Sequence, residues 1–436
     1  MIQQLAFLVT LTMAFYFIRK RVLFIRSNIN LGKDKKIDDN PGDRFRTMLL
    51  VAFGQKKMFK RFIPAILHFF IYVGFLVINL EVLEFIVDGL AGTHRIFSSY
   101  LGGFYPVLMN LFEFLAMAVL LACVIMLIRR NVVKIKRFWS AEMTAWPRLD
   151  ANLILCTEIV LMFAILFMNG ADQVLQGRDV HYPSTGPLFL SSLIASFLQN
   201  VETMTLIIVE RVAWWFHILG ILGFAVYITY SKHLHIFLAF PNTYFANLST
   251  KGYIQNMPVV THEVKTMLGL SESANNTAAE PGRFGAKDIN DLTWNNLMAA
   301  YSCTECGRCT SECPANLTGK KLSPRKIMMD VRDRMEEVGN SLKSGGAGLQ
   351  DGKSLLGNYI TKEEINACTS CNACVEACPV MINPLEIIVE LRRYVAMEES
   401  GSPASWNSMF QNMETNFAPW KFPPGDRFNW ASEMKK

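Results

Sequence analysis

The chain has 436 residues, 51% of them hydrophobic and 18% charged, with a formal net charge of +6. So apolar a composition excludes an ordinary soluble protein of this length and places part of the chain in lipid. The basic excess lies beside apolar runs rather than along one polar face, which argues against nucleic-acid binding and for a membrane topology signal.

Five segments have the roughly 20 mostly apolar residues that cross a bilayer: 5–25, 62–82, 105–128, 151–168 and 212–230, the last continuing as helix toward Phe240. The first run is followed by Arg19, Lys20 and Arg21 without a small-residue cleavage site, so it reads as an anchor and not a cleaved signal peptide. The run 188–198 is too short to cross and is expected at the interface or packed outside. The first loop carries nine basic residues between Lys33 and Arg61, and the third carries six between Arg129 and Arg148. The second and fourth loops hold little more than Arg95 and Arg178. The positive-inside bias then puts the N-terminus outside and the C-terminal half in the cytoplasm. Glu81, Glu84, Glu113 and Glu158 fall at membrane depth, where ionisable groups are functional candidates. Glu81 and Glu84 read equally well as the end of a shorter second span. Cys123 and Cys156 lie inside apolar runs and read as small core residues.

Four histidines lie in or beside spans: His68 in the second, and His217, His233 and His235 in or after the fifth. A bis-histidine b-type haem takes one imidazole from each of two facing helices. On one continuous helix His217 and His235 stand five turns, roughly 27 Å, apart on the same face. The second span supplies only His68, and the place for an outer ligand holds Ile78 and Asn79. One haem b on the cytoplasmic side, held by His68 and His235, is the expected count, two the alternative. His217 is left to a second haem, a quinone hydrogen bond or packing, and His233, about 160° around the helix, to the headgroups. A lone histidine in an apolar helix is otherwise a satisfied core residue.

Residues 246–293 are polar and read as a linker, ordered at most in part. Beyond them, CTECGRCTSECP (303–314) and CTSCNACVEACP (368–379) share the spacing C-x2-C-x2-C-x3-C-P. Three thiolates at this pitch surround one corner of an iron-sulfur cube, and the fourth cysteine reaches across to the other cube. The expected sets are Cys303, Cys306, Cys309 and Cys378 for one [4Fe-4S] cluster, and Cys368, Cys371, Cys374 and Cys313 for the second. Zinc sites and disulfides are the alternatives, and neither calls for a repeated third cysteine followed by Cys-Pro. Between the two runs, Ile327, Met328, Val331 and Met335 repeat at helical spacing after Ser323 and Pro324, which predicts a capped helix over the clusters. GGAGLQDGK (345–353) lacks the P-loop spacing and a preceding strand, so a phosphate site there is disfavoured.

The stretch 214–245, WWFHILGILGFAVYITYSKHLHIFLAFPNTYF, resembles the last helix of the respiratory nitrate reductase gamma-subunit type of cytochrome b, and LHFFIYVGF (67–75) resembles its second helix. The resemblance implies haem ligation by His235 and His68, with His217 at the position of an outer-haem ligand whose partner is here Ile78. The cysteine-rich half resembles the iron-sulfur subunits of heterodisulfide reductase and anaerobic glycerol-3-phosphate dehydrogenase, which implies a helical ferredoxin domain with two clusters. The tail FAPWKFPPGDRFNWA (417–431) resembles the connector that leads into a CCG domain in fused relatives, or else it folds back on the cluster domain. No Cys-Cys-Gly occurs in the chain, so a soluble CCG-domain or flavin-containing catalytic subunit is the expected partner.

The expected architecture is all-α: a five-helix transmembrane domain (1–245), a linker (246–293), a cytoplasmic two-cluster domain (294–400) and an aromatic tail (401–436). The expected role is a subunit of a prokaryotic cytoplasmic membrane that moves electrons between the quinone pool, haem b, two clusters and that partner. A self-sufficient ferredoxin:quinone oxidoreductase and a non-catalytic iron-sulfur sensor or anchor are the alternatives.

Overall fold

The structure is a computed structural model that describes residues 1–270, 283–421 and 423–434. The described residues form helices and loops, with two isolated β-bridges and no strand. Helix α1 (Ile2–Ile29) contains the first apolar run. Four further helices are long and apolar enough to cross a membrane: α2 (Phe62–Ala91), α3 (Tyr105–Leu127), α4 (Ala145–Leu175) and, after the short α5 (Ser191–Leu198), α6 (Thr203–Ile228). Helix α1 is not one of the four; the span expected in it encloses Arg19, Lys20 and Arg21.

Helix α2 runs past its apolar core because its acidic end is buried and paired. Arg95, 4% exposed, meets Glu81 at 3.4 Å and Asp172 of α4 at 3.4 Å, while the Tyr105 hydroxyl donates to Glu84 at 2.7 Å. Glu81 and Glu84 therefore lie inside a helix and do not end a short span. Glu113 of α3 accepts the backbone N–H groups of Leu190 and Ser191 at 2.9 and 3.2 Å, which ties down the start of α5, and α5 packs against α4. Cys123 is buried as expected, but Cys156 is exposed on the outer surface of α4.

The continuous fifth helix expected through Phe240 is broken. Helix α6 ends at Ile228, Ser231 is extended (φ −105°, ψ 159°), and a 3-10 turn leads into α7 (His235–Tyr244). The buried Asp150 of α4 holds the break, accepting from Ser231 Oγ at 2.7 Å and from the Lys232 backbone N–H at 3.1 Å. His217 and His235 thus do not share one helix face.

The linker is shorter than expected. Helix α8 (Pro258–Met267) has no buried residue, and positions 271–282 of the predicted linker lie outside the described residues. Residues 283–293 belong to the cluster-domain core: Ala286, Ile289 and Leu292 are buried, and Asp288 pairs with the buried Arg334 at 2.8 Å. These three positions recur every third residue, but the regular structure there is a single 3-10 turn (Ile289–Asp291) in a polar stretch, so it is packing that reveals them.

That domain is built from α9 (Trp294–Ser302), α10 (Arg308–Ser311), α11 (Pro324–Lys343), α12 (Ala373–Ala377) and α13 (Pro384–Met397). Ile327, Met328, Val331 and Met335 of α11 are buried on one face, and Ser323 caps the helix by accepting from Lys326 N. The tail forms α14 (Ala404–Asn416), which has no buried residue and leaves Trp406 and Phe410 exposed.

The cluster domain is bolted to one end of the apolar helices. Arg325 of α11, fully buried, donates to Glu142 at 2.6 Å and to the Arg137 carbonyl at 2.6 Å in the loop between α3 and α4. Arg21 of α1 makes a two-point pair with Glu336 at 2.7 and 3.0 Å, and Lys232 meets Glu305 at 2.5 Å. Asn28 donates to the Tyr301 hydroxyl at 2.8 Å.

Candidate functional site

Each cysteine run folds back on itself through two residues of positive φ at matching positions: Glu305 and Gly307 in the first, Ser370 and Asn372 in the second. Glycine and asparagine tolerate this left-handed conformation, which other side chains resist. At Gly307 (φ +70°) a Cβ atom would also come within 2.5 Å of Arg325 Nη1.

The turns gather the thiols in two groups that exchange their fourth members. Cys303, Cys306, Cys309 and Cys378 line one cavity, walled by Arg325 and Met328. Cys313 interacts electrostatically with Cys368 and Cys371, and Cys374 with Cys368, Cys313 and Cys371. All ten cysteines are free thiols, and among the described residues no three His, Cys, Asp or Glu side chains converge closely enough to hold a single metal ion. Thiols spread around a space suit a cluster better than one zinc ion. Burial, reinforced by neighbouring thiols, pushes Cys303 and Cys374 up to about 12 and Cys378 to about 11, so loading with metal must displace protons.

A second cavity lies between α2, the turn after α6 and the first cysteine run. His68, His233 and His235 line it. The rings of His68 and His235 have their centroids 6.3 Å apart and are tilted by 47° to each other. An imidazole nitrogen sits about 2 Å from a metal it ligates and about 1 Å from its own ring centre, so rings flanking one ion stand about 6 Å apart. Each Nδ1 is already engaged, that of His68 with Gln55 Oε1 at 3.1 Å and that of His235 with the Lys232 carbonyl at 3.2 Å. These bonds orient the rings and leave both Nε2 atoms for the cavity. Burial holds His235 neutral, its pKa down at about 4.

Two further observations fit a carboxylate-bearing macrocycle there. The cavity wall carries more cations than carboxylates, with Arg130, Arg137, Lys232 and Arg308 beside Glu158 and Glu305, the last paired with Lys232. Two wall groups, Tyr72 Oη and Arg137 Nε, are buried without a hydrogen-bond partner among the described residues. His233 does not reach headgroups: the helix break turns it inward, 5.4 Å from His235 and 5.7 Å from Phe224. Gln55, Tyr72 and the cationic wall escaped the sequence reading, which counted the basic residues only as a topology signal.

His217 is not brought to this cavity. It is 2% exposed, 5.6 Å from the Phe85 ring, and lines a separate apolar cavity with Ile78, Asn79 and Glu158.

Residues 302–382 match the family of the 4Fe-4S dicluster domain. The probable iron-sulfur-binding oxidoreductase FadF of Bacillus subtilis is 29% identical over 96% of this chain and 58% of its own length. The EtfAB:quinone oxidoreductase of Syntrophomonas wolfei is 26% identical over 91% of the chain and 55% of its own length. A probable membrane-anchored ferredoxin of Chromohalobacter salexigens is 32% identical over 34% of the chain and 24% of its own length. Heterodisulfide reductase subunits D and C align over 33% of the chain. The chain spans little more than half the length of the first two relatives. No solved structure matches. The chain joins a 4Fe-4S dicluster domain to four helices apolar enough for a membrane, and its relatives are iron-sulfur oxidoreductases and ferredoxins of electron transfer.

Proposed function

We propose that this chain is a membrane-bound electron-transfer subunit that links the quinone pool to a soluble partner through one haem b and two [4Fe-4S] clusters. One observation carries the reading. The imidazole-lined cavity and the first thiol-lined cavity share a wall of Thr304, Cys306, Arg308, Pro379 and Val380, so carriers in the two would be neighbours. In this reading His68 and His235 hold the haem through Nε2, and the cationic wall receives its carboxylates. Cys303, Cys306, Cys309 and Cys378 hold the nearer cluster; Cys368, Cys371, Cys374 and Cys313 hold the farther one. Bound haem and clusters supply one-electron carriage, and the protein sets potentials by ligation, burial and charge. No bond-making side chain is required.

Helix α1 serves as a fifth span with its N-terminus outside, and the basic loops and the cluster domain lie on the cytoplasmic side of a prokaryotic membrane. Cys371 is exposed, which opens the second cluster to an external partner. The Syntrophomonas wolfei relative is an EtfAB:quinone oxidoreductase, which favours EtfAB in that role over a CCG-domain subunit.

A short-chain quinol added to the detergent-purified protein tests the reading. Reduction of the haem optical bands followed by cluster paramagnetic signals is expected. Clusters that stay oxidised, with no haem present, would favour the sensor or anchor reading. Mass spectrometry of co-purifying chains identifies the partner, and its absence from a fully loaded preparation would favour exchange with a diffusible ferredoxin.

A further inference from the structure

We infer that the separate apolar cavity beside His217 is the quinol site, with His217 and Glu158 binding the two ring oxygens. The inference rests on the quinone-linked reading above and adds a place to it.

The cavity is built for a neutral guest with a small polar demand. His217 lines it, and its Nδ1 is buried without a hydrogen-bond partner among the described residues. Glu158 lines the same space and, among the described residues, makes no hydrogen bond or ion pair with another side chain, unlike Glu81, Glu84 and Glu113, whose carboxylates are engaged in the fold. The rest of the wall is apolar apart from Asn79 and Thr229, and it contains no lysine or arginine. A haem carries two carboxylates and is served by cations in the other cavity; here nothing would neutralise them. The position across from His217 is Ile78, which ligates nothing.

A quinol meets each feature: it is uncharged, carries two opposed oxygens and drags an apolar tail. Val22 of α1 and Phe237 of α7 line the cavity and are 47% and 59% exposed, which opens it sideways toward lipid. Ile71, Phe75 and Glu158 also line the His68–His235 cavity, so one thin wall separates the guest from the next carrier.

Oxidation there breaks the two O–H bonds of the quinol. One proton goes to the Glu158 carboxylate and the other to the His217 imidazole. A haem, which His68 and His235 would hold in the neighbouring cavity, would supply the one-electron acceptor, and the quinone departs into lipid.

The test uses the full-length protein in detergent and the fluorescent quinol analogue 2-heptyl-4-hydroxyquinoline N-oxide. Binding is read by fluorescence quenching in wild type, His217→Leu and the near-isosteric Glu158→Gln, beside the haem-to-protein ratio. Binding weakened about tenfold in His217→Leu, the worth of one hydrogen bond, and several-fold in Glu158→Gln, with haem content unchanged, is the expected result. If His217→Leu does not fold, Glu158→Gln decides. Two haems per wild-type chain with one lost in His217→Leu would make His217 an iron ligand and overturn the placement. Wild-type reduction by quinol with unweakened analogue binding in the variants would overturn the placement alone. A wild type that neither binds the analogue nor accepts electrons from quinol would overturn the quinone reading itself.

Discussion

Replacing Arg325 with methionine tests how much the buried Arg325–Glu142 pair contributes to holding the cysteine-rich domain against the apolar helices. The Arg325 side chain is 0% exposed and its partner Glu142 11%. Burial alone would raise the Glu142 carboxyl; the Arg325 guanidinium and the Ser323 hydroxyl, 2.7 Å away, more than offset it and hold it below the usual carboxylate range. Methionine keeps the apolar stem but removes the guanidinium, which strands that carboxylate and the Arg137 carbonyl, and breaking a buried pair from one side costs roughly 3–5 kcal/mol. Adding Glu142→Gln removes the stranded charge and leaves an acceptor for Ser323, so the double variant should recover about 2 kcal/mol relative to the sum of the single costs. Unfolding by SDS in mixed micelles, followed by cluster absorbance, measures all three variants against wild type. Arg325→Met should also slow reduction of the clusters by quinol while haem and iron content hold, because the loop at Arg137 no longer presses against the first cysteine run. Unfolding of Arg325→Met at the wild-type midpoint, or strictly additive costs in the double variant, would refute the reasoning.

His68→Ala and His235→Ala should each abolish the haem optical signal and leave the cluster paramagnetic signals intact; unchanged haem content in either variant rejects that ligand. Cys378→Ser should alter the cluster of the first cysteine run, because Cys378 lies with Cys303, Cys306 and Cys309. A change confined to the other cluster's spectrum would show the fourth ligands to be uncrossed. Gly307→Ala forces a left-handed residue against Arg325 Nη1, and a loss of roughly 1–3 kcal/mol is expected in the same SDS assay. Burial holds His235 near 4 while the unfolded imidazole titrates near 6.5. Below 6.5 the unfolded chain therefore gains a proton the folded chain refuses, so haem retention should be flat above pH 6.5 and decline from there toward pH 4. A decline on the alkaline side would contradict this.

Local chemistry made part of this protein legible from its residues. A thiol run at fixed spacing is a covalent pattern, so the two cysteine motifs and their membership in a dicluster domain needed no fold to be read. Apolar runs of bilayer length likewise predict helices α2, α3, α4 and α6, and the buried face of α11 follows from its 3.6-residue period. What the tertiary structure decided was everything set by a partner distant in sequence. Asp150 breaks the last long helix at Ser231 and turns His233 and His235 into a cavity, which helical periodicity within one segment cannot register. Ala286, Ile289 and Leu292 turn from linker into core only because the cluster domain closes over them. The cationic wall at Arg137 and Arg308 and the unpaired nitrogen of His217 are likewise invisible in sequence, because burial and missing partners are properties of packed neighbours and not of any residue alone.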